Sequence, residues 1–218
     1  MSFLSDAWQW LLDPANASGP NGILARTGEH LWYTLLATVI ACLVAIPIGY
    51  AIGHAHRGRT VVVASTGAAR ALPTLGVVTL FGLVFGIGLE APMVALVLLA
   101  LPSVLAGAYA GVEGAPPEVV DAARGMGMTE WQILFRVEVP LGMPLLLGGI
   151  RSAALQVLAT ATLAAYVGAG GLGRFLFLGL KTQNYPMMLA ASLVVVLLAV
   201  AAELTFEIVD RLVRRSLP

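Results

Sequence analysis

The chain has 218 residues, of which 59% are hydrophobic and only 11% are charged, and its mean hydropathy is +0.90. Soluble domains are about 45–50% apolar and about 25% charged, so this composition excludes an ordinary water-soluble domain and predicts a membrane protein. Twelve basic residues balance twelve acidic ones, which removes the positive field of a nucleic-acid binder, and a single cysteine, Cys42, excludes a disulfide framework and a cysteine-based zinc site.

Residues 1–30 precede the first long apolar window and are predicted to form an external N-terminal segment. The stretch from Met1 to Asp13 lacks the basic start of a signal peptide, and it mixes polar side chains with Trp8 and Trp10. Tryptophans and polar groups around a short apolar stretch are typical of a helix at the membrane surface. We therefore expect a short interfacial helix here.

Five windows are long and apolar enough to cross a membrane, for which a helix needs roughly 20 apolar residues. They cover residues 31–53, 61–88, 93–112, 141–167 and 187–209. This pattern predicts an all-α integral membrane protein with five transmembrane helices, a transmembrane domain over 31–212 and a cytoplasmic tail over 213–218. Pro73 falls inside the second window, so that span is either continuous or split in two there.

Basic residues are distributed unequally between the two sides of these spans. With the segment 113–140 on the cytoplasmic side, that side holds Arg57, Arg59, Arg124, Arg136, Arg211, Arg214 and Arg215, and the outer side holds Arg26, Arg174 and Lys181. Lys and Arg accumulate in cytoplasmic flanks, so seven against three predicts an external N-terminus and a cytoplasmic C-terminus.

The segment 113–140 differs from the rest of the chain, because it contains five acidic residues and two arginines. Pro117 suits the first turn of a helix, and Gly127 suits the left-handed residue that ends one. Thr129 followed by Gln132 is the pattern of a capping box that starts a second helix. The segment is therefore predicted to be a helix, a turn and a helix outside the membrane.

Two features of this hairpin indicate more than a solvated connector, which is the alternative interpretation. Trp131, Leu134 and Phe135 have the spacing of one helix face, which predicts an apolar docking face. Ala122 and Ala123 form a patch of small residues beside Asp121, where a partner could approach closely and donate hydrogen bonds to the carboxylate. We interpret the hairpin as a docking element for a cytoplasmic protein.

The spacing of Asp121-Ala122-Ala123, Gly127 and Val137-x-Val139-Pro140 resembles the EAA loop of permease subunits of ABC importers, with Asp in place of Glu and Val in place of Ile and Leu. The resemblance extends over roughly residues 30–212. The stretches 121–129, 148–151 and 161–173 are similar to the osmoprotectant branch of that family, which takes up glycine betaine, carnitine or choline.

This resemblance implies a MetI-like permease fold in the bacterial cytoplasmic (inner) membrane. It implies that a coupling helix sits in a cleft of an ATPase subunit, with Glu118, Asp121, Ala122, Ala123 and Gly127 as coupling residues and Pro140 marking the return into the membrane. The implied partners are two copies of an ABC ATPase, a second permease copy or a close paralogue, an extracytoplasmic substrate-binding protein and membrane lipid. ATP would bind only to the partner, so this chain needs no cofactor.

A glycine cluster follows the fourth predicted span, at Gly168, Gly170, Gly171 and Gly173. Its spacing matches a dinucleotide fingerprint, but that motif requires a preceding strand, and this one follows a membrane span. The only lysine, Lys181, follows Leu180 rather than Gly, which excludes a phosphate-binding loop of the Walker A type. We expect the glycines to form a sharp turn near an outer gate, followed by a short helix over 174–180.

Arg70 and Arg151 lie inside predicted spans, where a charge costs very roughly 2.5–3.5 kcal/mol. Three explanations are open for each arginine: it lines a water-filled path, it pairs with a carboxylate, or it snorkels to the membrane surface or caps a neighbouring helix. Together with Tyr166 they are the candidate pathway residues. The tyrosines near the spans form no visible cage for a quaternary ammonium group, so selectivity is expected in the separate binding protein.

Two further functions compete with this interpretation. A stand-alone secondary transporter of small solutes would show paired repeats and intramembrane acids, and no clear repeat is visible. An ABC permease for another small solute, such as an amino acid, has the same overall pattern. A membrane enzyme is disfavoured, because His30, His54 and His56 form no catalytic triad or metal motif, and we predict no catalytic and no metal-binding residues.

Overall fold

In the computed structural model the described residues are 3–216, without the side chains of residues 69, 70 and 216. Every regular element among them is helical, which confirms the all-α prediction. The helices are α1 (Phe3–Leu12), α2 (Pro14–Ala17), α3 (Ile23–His54), α4 (Arg59–Ala71), α5 (Thr74–Phe85), α6 (Glu90–Glu113), α7 (Pro117–Gly125), α8 (Glu130–Ile133), α9 (Val139–Thr160), α10 (Gly173–Thr182) and α11 (Tyr185–Ser216). A π-helical segment, Leu134–Glu138, joins α8 to α9, and a 3-10 helix, Ala161–Val167, follows α9.

Four stretches of the described residues are long and apolar enough to cross a membrane, and they coincide with four of the five predicted spans. They are Ile23–His54, Glu90–Glu113, Glu130–Val167 and Tyr185–Arg215. Helix α3 begins at Ile23, inside the predicted external segment 1–30, and not at residue 31. Helix α11 continues into the predicted tail 213–218. Residues 217 and 218 of that tail lie outside the described residues.

The remaining predicted span, 61–88, is split into α4 and α5 instead of forming one continuous helix. The break lies at Pro73, whose backbone is extended, with φ −71° and ψ 110°. Proline disfavours helical geometry in the residue before it and removes one backbone donor, so the helix ends before it and starts again after it. The described residues therefore contain four long apolar stretches and one pair of shorter helices, and not five long helices.

The second helix of the predicted hairpin is not separate from the fourth span. Helix α8 runs through the π-helical segment into α9, so the chain remains helical from Glu130 to Thr160. The N–H of Val139 donates to the carbonyl of Leu134, five residues back, immediately before Pro140. Because proline has no N–H to donate, this wider turn accommodates Pro140 inside the continuous helix.

The chain folds as two compact units, each assembled from separate stretches of sequence. The first contains the residues up to Ala37, Leu72–Val97 and Leu155–Ala202. In it α1 packs on α10, where the rings of Trp10 and Phe175 meet edge to face at 5.3 Å. Thus the predicted N-terminal helix is present, and its tryptophan joins an apolar cluster that includes Ile23, Leu172 and Met187.

The second unit contains Thr38–Ala71, Leu98–Ala154 and the chain from Glu203 on. In it α6 and α9 approach so closely that glycine is required at the contact. A Cβ on Gly149 would lie 2.7 Å from the carbonyl oxygen of Ser103 and 2.9 Å from the Cα of Gly107. One on Gly111 would lie 2.7 Å from the carbonyl oxygen of Gly142. Small residues let helices approach in lipid, where dispersion contacts replace the hydrophobic effect as the main attraction between them.

Candidate functional site

The hairpin between α6 and α9 has the local geometry that its sequence predicts. Pro117 occupies the first turn of α7, and Gly127 has a positive φ of 82°. Both bonds of the capping box are present: the Thr129 N–H donates to Gln132 Oε1 at 2.8 Å, and the Gln132 N–H donates to Thr129 Oγ1 at 3.4 Å. These caps satisfy backbone donors that the first turn of α8 would otherwise leave free.

The predicted coupling residues divide into an exposed and a buried group. Glu118, Asp121, Ala122 and Gly127 are exposed. Ala123 is only 2% exposed and packs in the core of the hairpin with Val120 and Ile133. The predicted small-residue patch is therefore wrong for Ala123, because positions 120 and 123 lie one turn apart on the inner face of α7.

The predicted apolar face of the second helix is also only partly present. Trp131 and Phe135 are 73% and 54% exposed, and their rings stack at 5.9 Å with an interplanar angle of 6°. Leu134 is buried instead, since the helix continues into α9 and this side of it packs inward. An apolar groove of about 530 Å³ lies beside the two rings, lined by Pro47, Tyr50, Ala51, His54, Glu130, Trp131, Leu134 and Phe135.

A network of charged groups ties the hairpin together. The guanidinium of Arg124 donates to both carboxylate oxygens of Glu130, at 2.9 Å and 3.0 Å, and contacts Asp121 at 3.4 Å. The hydrogen bond to Glu130 raises the pKa of Arg124, so it remains charged. Glu130 also contacts His54 Nε2 at 3.2 Å, and His54 Nδ1 lies 2.6 Å from Glu138. Sequence reasoning missed His54 and Glu138, which are 84 residues apart in the chain.

The glycine cluster forms a tight turn in the first unit. Gly168 and Gly171 have positive φ values of 85° and 77°. The N–H of Gly171 donates to the carboxylate of Glu29 at 2.8 Å, and Arg26 holds the same carboxylate at 2.7 Å. A Cβ on Gly170 would collide with Glu29, and one on Gly173 with the backbone of Thr162. Helix α10 follows directly, as predicted, and Glu29 is a third residue that sequence reasoning missed.

The candidate pathway residues have different surroundings. Arg151 pairs with two carboxylates of α11: its Nε donates to Glu203 at 2.8 Å and its Nη1 to Glu207 at 3.3 Å. Of the three possibilities for Arg151, the structure therefore selects the carboxylate partner. Tyr166, in the first unit, is half exposed and packs on Phe177 with ring centroids 5.7 Å apart. The side chain of Arg70 lies outside the described residues.

Replacement of Arg151 by Leu is expected to lower the thermal unfolding midpoint in detergent by roughly 5 °C. The change leaves Glu203 without its guanidinium partner in an apolar helix pair, where an unpaired charge is unfavourable. The double variant Arg151→Leu, Glu203→Leu removes both charges and should recover most of the loss, measured by the same melting experiment. Equal midpoints for the wild type and the single variant would contradict a stabilising role for the pair.

Among the described residues no group of three or more His, Cys, Asp and Glu side chains is arranged to hold a metal ion. The two histidines closest to the hairpin differ in their surroundings. His54 lies between two carboxylates, while His56 is exposed and has a positive φ of 49°. The polar groups of this region are thus arranged as ion pairs, a geometry suited to positioning helices.

Comparisons with known proteins agree with this architecture. The family model described as "Binding-protein-dependent transport system inner membrane component" matches residues 34–215. The osmoprotectant import permease protein OsmW of Salmonella typhimurium (strain LT2) is 33% identical over 207 residues, 91% of this chain and 92% of the relative. The glycine betaine/carnitine/choline transport system permease protein OpuCB of Bacillus subtilis (strain 168) is 31% identical over 189 residues, 87% of both chains.

One solved structure shows the same fold at low identity. It is the MetNI methionine ABC transporter in an inward facing conformation, with a TM-score of 0.75 and 22% identity over 88% of this chain and 95% of that chain.

Proposed function

The chain belongs to the family of binding-protein-dependent transport system inner membrane components, and from this premise we propose that it imports quaternary ammonium osmoprotectants of the glycine betaine, carnitine and choline type. Members of this family are permease subunits of ABC importers and are not enzymes themselves. The observation that carries the choice of substrate is the identity of 31–33% to two osmoprotectant permeases over 87–91% of this chain.

The proposed topology has five membrane passages, an external N-terminus and a cytoplasmic C-terminus. Four passages are the long apolar stretches, and α4 with α5 together make the fifth, broken at Pro73. The excess of basic residues beside α7 and at the end of α11 supports this orientation. The glycine turn that Glu29 holds then faces the outside, where we place the outer gate.

The hairpin is proposed to be the contact with the ATPase. Glu118, Asp121, Ala122 and Gly127 are exposed on it and can touch a partner, whereas Ala123 acts by packing α7 onto α8. The complete importer in this proposal has two ATPase copies, a second permease or close paralogue, and an extracytoplasmic binding protein. ATP binds only to the ATPases.

Tyr166 is a proposed residue of the transport path, and Arg70 stays a candidate from its position in the sequence. Tyr166 has a half-exposed ring with a polar tip, a side chain that suits a cationic solute. Arg151 was a third candidate, but its charge is already neutralised by Glu203 and Glu207, so we assign it to holding α9 against α11.

Reconstitution into proteoliposomes tests the proposed function. The chain is inserted with and without its ATPase and binding protein, and uptake of labelled glycine betaine, carnitine, choline and methionine is measured with ATP inside. We expect uptake of quaternary amines only with all partners and ATP. Uptake by the chain alone, driven by an ion gradient, would instead establish a secondary transporter. Uptake of methionine only would establish an amino-acid importer.

A further inference from the structure

His54, at the end of α3, lies between two carboxylates that belong to one continuous helix. Its Nε2 is 3.2 Å from Glu130, in the first turn of α8, and its Nδ1 is 2.6 Å from Glu138, at the end of the π-helical segment. The contact with Glu138 has hydrogen-bond geometry, and the contact with Glu130 lies within ion-pair distance. The His54 ring therefore bridges two acids of one continuous helix.

Glu138 depends on this bridge, because it is only 1% exposed. A buried carboxylate is unfavourable unless it is paired and hydrogen-bonded, and His54 supplies the short contact at 2.6 Å. The side chain of His54 is itself largely buried. Little water therefore competes for this hydrogen bond, which makes it stronger than an ion pair at the surface.

The same network reaches the hairpin. Arg124 of α7 binds Glu130 through two parallel hydrogen bonds, and Glu130 also contacts His54. A chain of contacts therefore runs from α7 through Glu130 to the end of α3, and every member lies in the second unit. Bidentate arginine–carboxylate pairs fix geometry as well as charge, so a displacement of α7 displaces Glu130 with it.

An open apolar groove lies beside this network. The end of α3 and the residues from Glu130 to Phe135 line the two sides of the open groove of about 530 Å³, so their other side chains leave a gap. At the groove the polar bridge therefore supplies a direct contact between the hairpin and α3, in addition to the close packing of α3 on α6 at Gly53 and Val112.

We propose that His54 and Glu138 are positioning residues that transmit movement of the hairpin 117–133 to α3 during the transport cycle. This inference rests on the proposed function, since it presumes that the hairpin is moved by an ATPase. A packed network with two arrangements is the kind of element that couples distant sites. Neither residue touches the solute in this proposal.

The test compares His54→Gln and Glu138→Gln with the wild type in the complete reconstituted importer. Uptake of glycine betaine and hydrolysis of ATP are measured in the same vesicles, and their ratio is the readout. We expect the ratio to fall about three- to tenfold in each variant and no further in the double variant, because both changes break one bridge. His54→Arg supplies N–H donors to both carboxylates and should recover most of the ratio.

Glu90→Gln is the matched control, since it makes the same change of carboxylate to amide as Glu138→Gln at an exposed position outside the hairpin. Its ratio should equal that of the wild type. Proportional losses of uptake and hydrolysis with an unchanged ratio, or no recovery by His54→Arg, would overturn the inference. A wild type that takes up no quaternary amine would contradict the proposed function instead, whatever the variants do.

Discussion

Asp121→Lys is expected to reduce ATP-driven uptake by about 100-fold while the permease still folds and inserts. The side chain of Asp121 is 75% exposed and contacts Arg124 at 3.4 Å across one turn, and an exposed pair of this kind contributes little to stability. A lysine would place a second cation beside Arg124, on the surface assigned to the ATPase, and remove a carboxylate that can accept hydrogen bonds from the partner. Uptake is measured in proteoliposomes that contain all partners.

Asp210→Lys is the control for this experiment, because it makes the same substitution in another one-turn ion pair, with Arg214 at 2.7 Å, outside the hairpin. It should retain most of the uptake. The amount of ATPase that copurifies with each variant shows where the loss arises, and we expect less with Asp121→Lys. Full uptake by Asp121→Lys would show that this face of α7 does not contact the ATPase.

Gly149→Ala is expected to destabilise the permease by about 1–3 kcal/mol, whereas Gly148→Ala should be neutral or slightly stabilising. The new methyl at 149 would lie 2.7 Å from the carbonyl oxygen of Ser103, and a backbone atom cannot move aside as a flexible side chain can. At 148 a Cβ meets no atom of the described residues within 4 Å. The two glycines are neighbours in one helix, so helix propensity affects both alike.

Thermal unfolding in detergent measures this difference, and the two variants should differ in midpoint by several degrees, since about 1 kcal/mol corresponds to about 2–4 °C for a chain of this size. Each variant is the control for the other, because the two proteins have the same composition and length and are measured in the same detergent. Equal midpoints would mean that α6 and α9 are farther apart than the structure places them.

The sequence predicted best what depends on composition or on neighbouring residues. The long apolar stretches follow from hydropathy, and the capping box at Thr129 and the left-handed Gly127 follow from local backbone chemistry. The sequence showed where the second span could be interrupted, at Pro73. It could not show whether the helix ends there, since a proline can either kink a helix or end it.

What the sequence could not predict depends on contacts between distant segments. Ala123 turned inward because Ile133 packs against it, and Leu134 because α8 continues into α9. The bridge from His54 to Glu138 joins residues 84 positions apart, which no local pattern encodes. The sequence shows only an acidic residue two positions before Pro140, and the position of α3 is needed to interpret it.

The π-helical segment Leu134–Glu138 determines how far α8 is rotated about the helix axis relative to α9. Such a turn corresponds to one residue inserted into an α-helix, and each residue of an α-helix advances the helix by about 100°. Without that extra residue, Glu130 and Trp131 would point about a quarter turn away from their present directions, and Glu130 could not meet Arg124 and His54 together. The π-helical segment therefore sets a fixed rotation of α8 relative to α9. Its one additional residue determines which side of α8 faces α7.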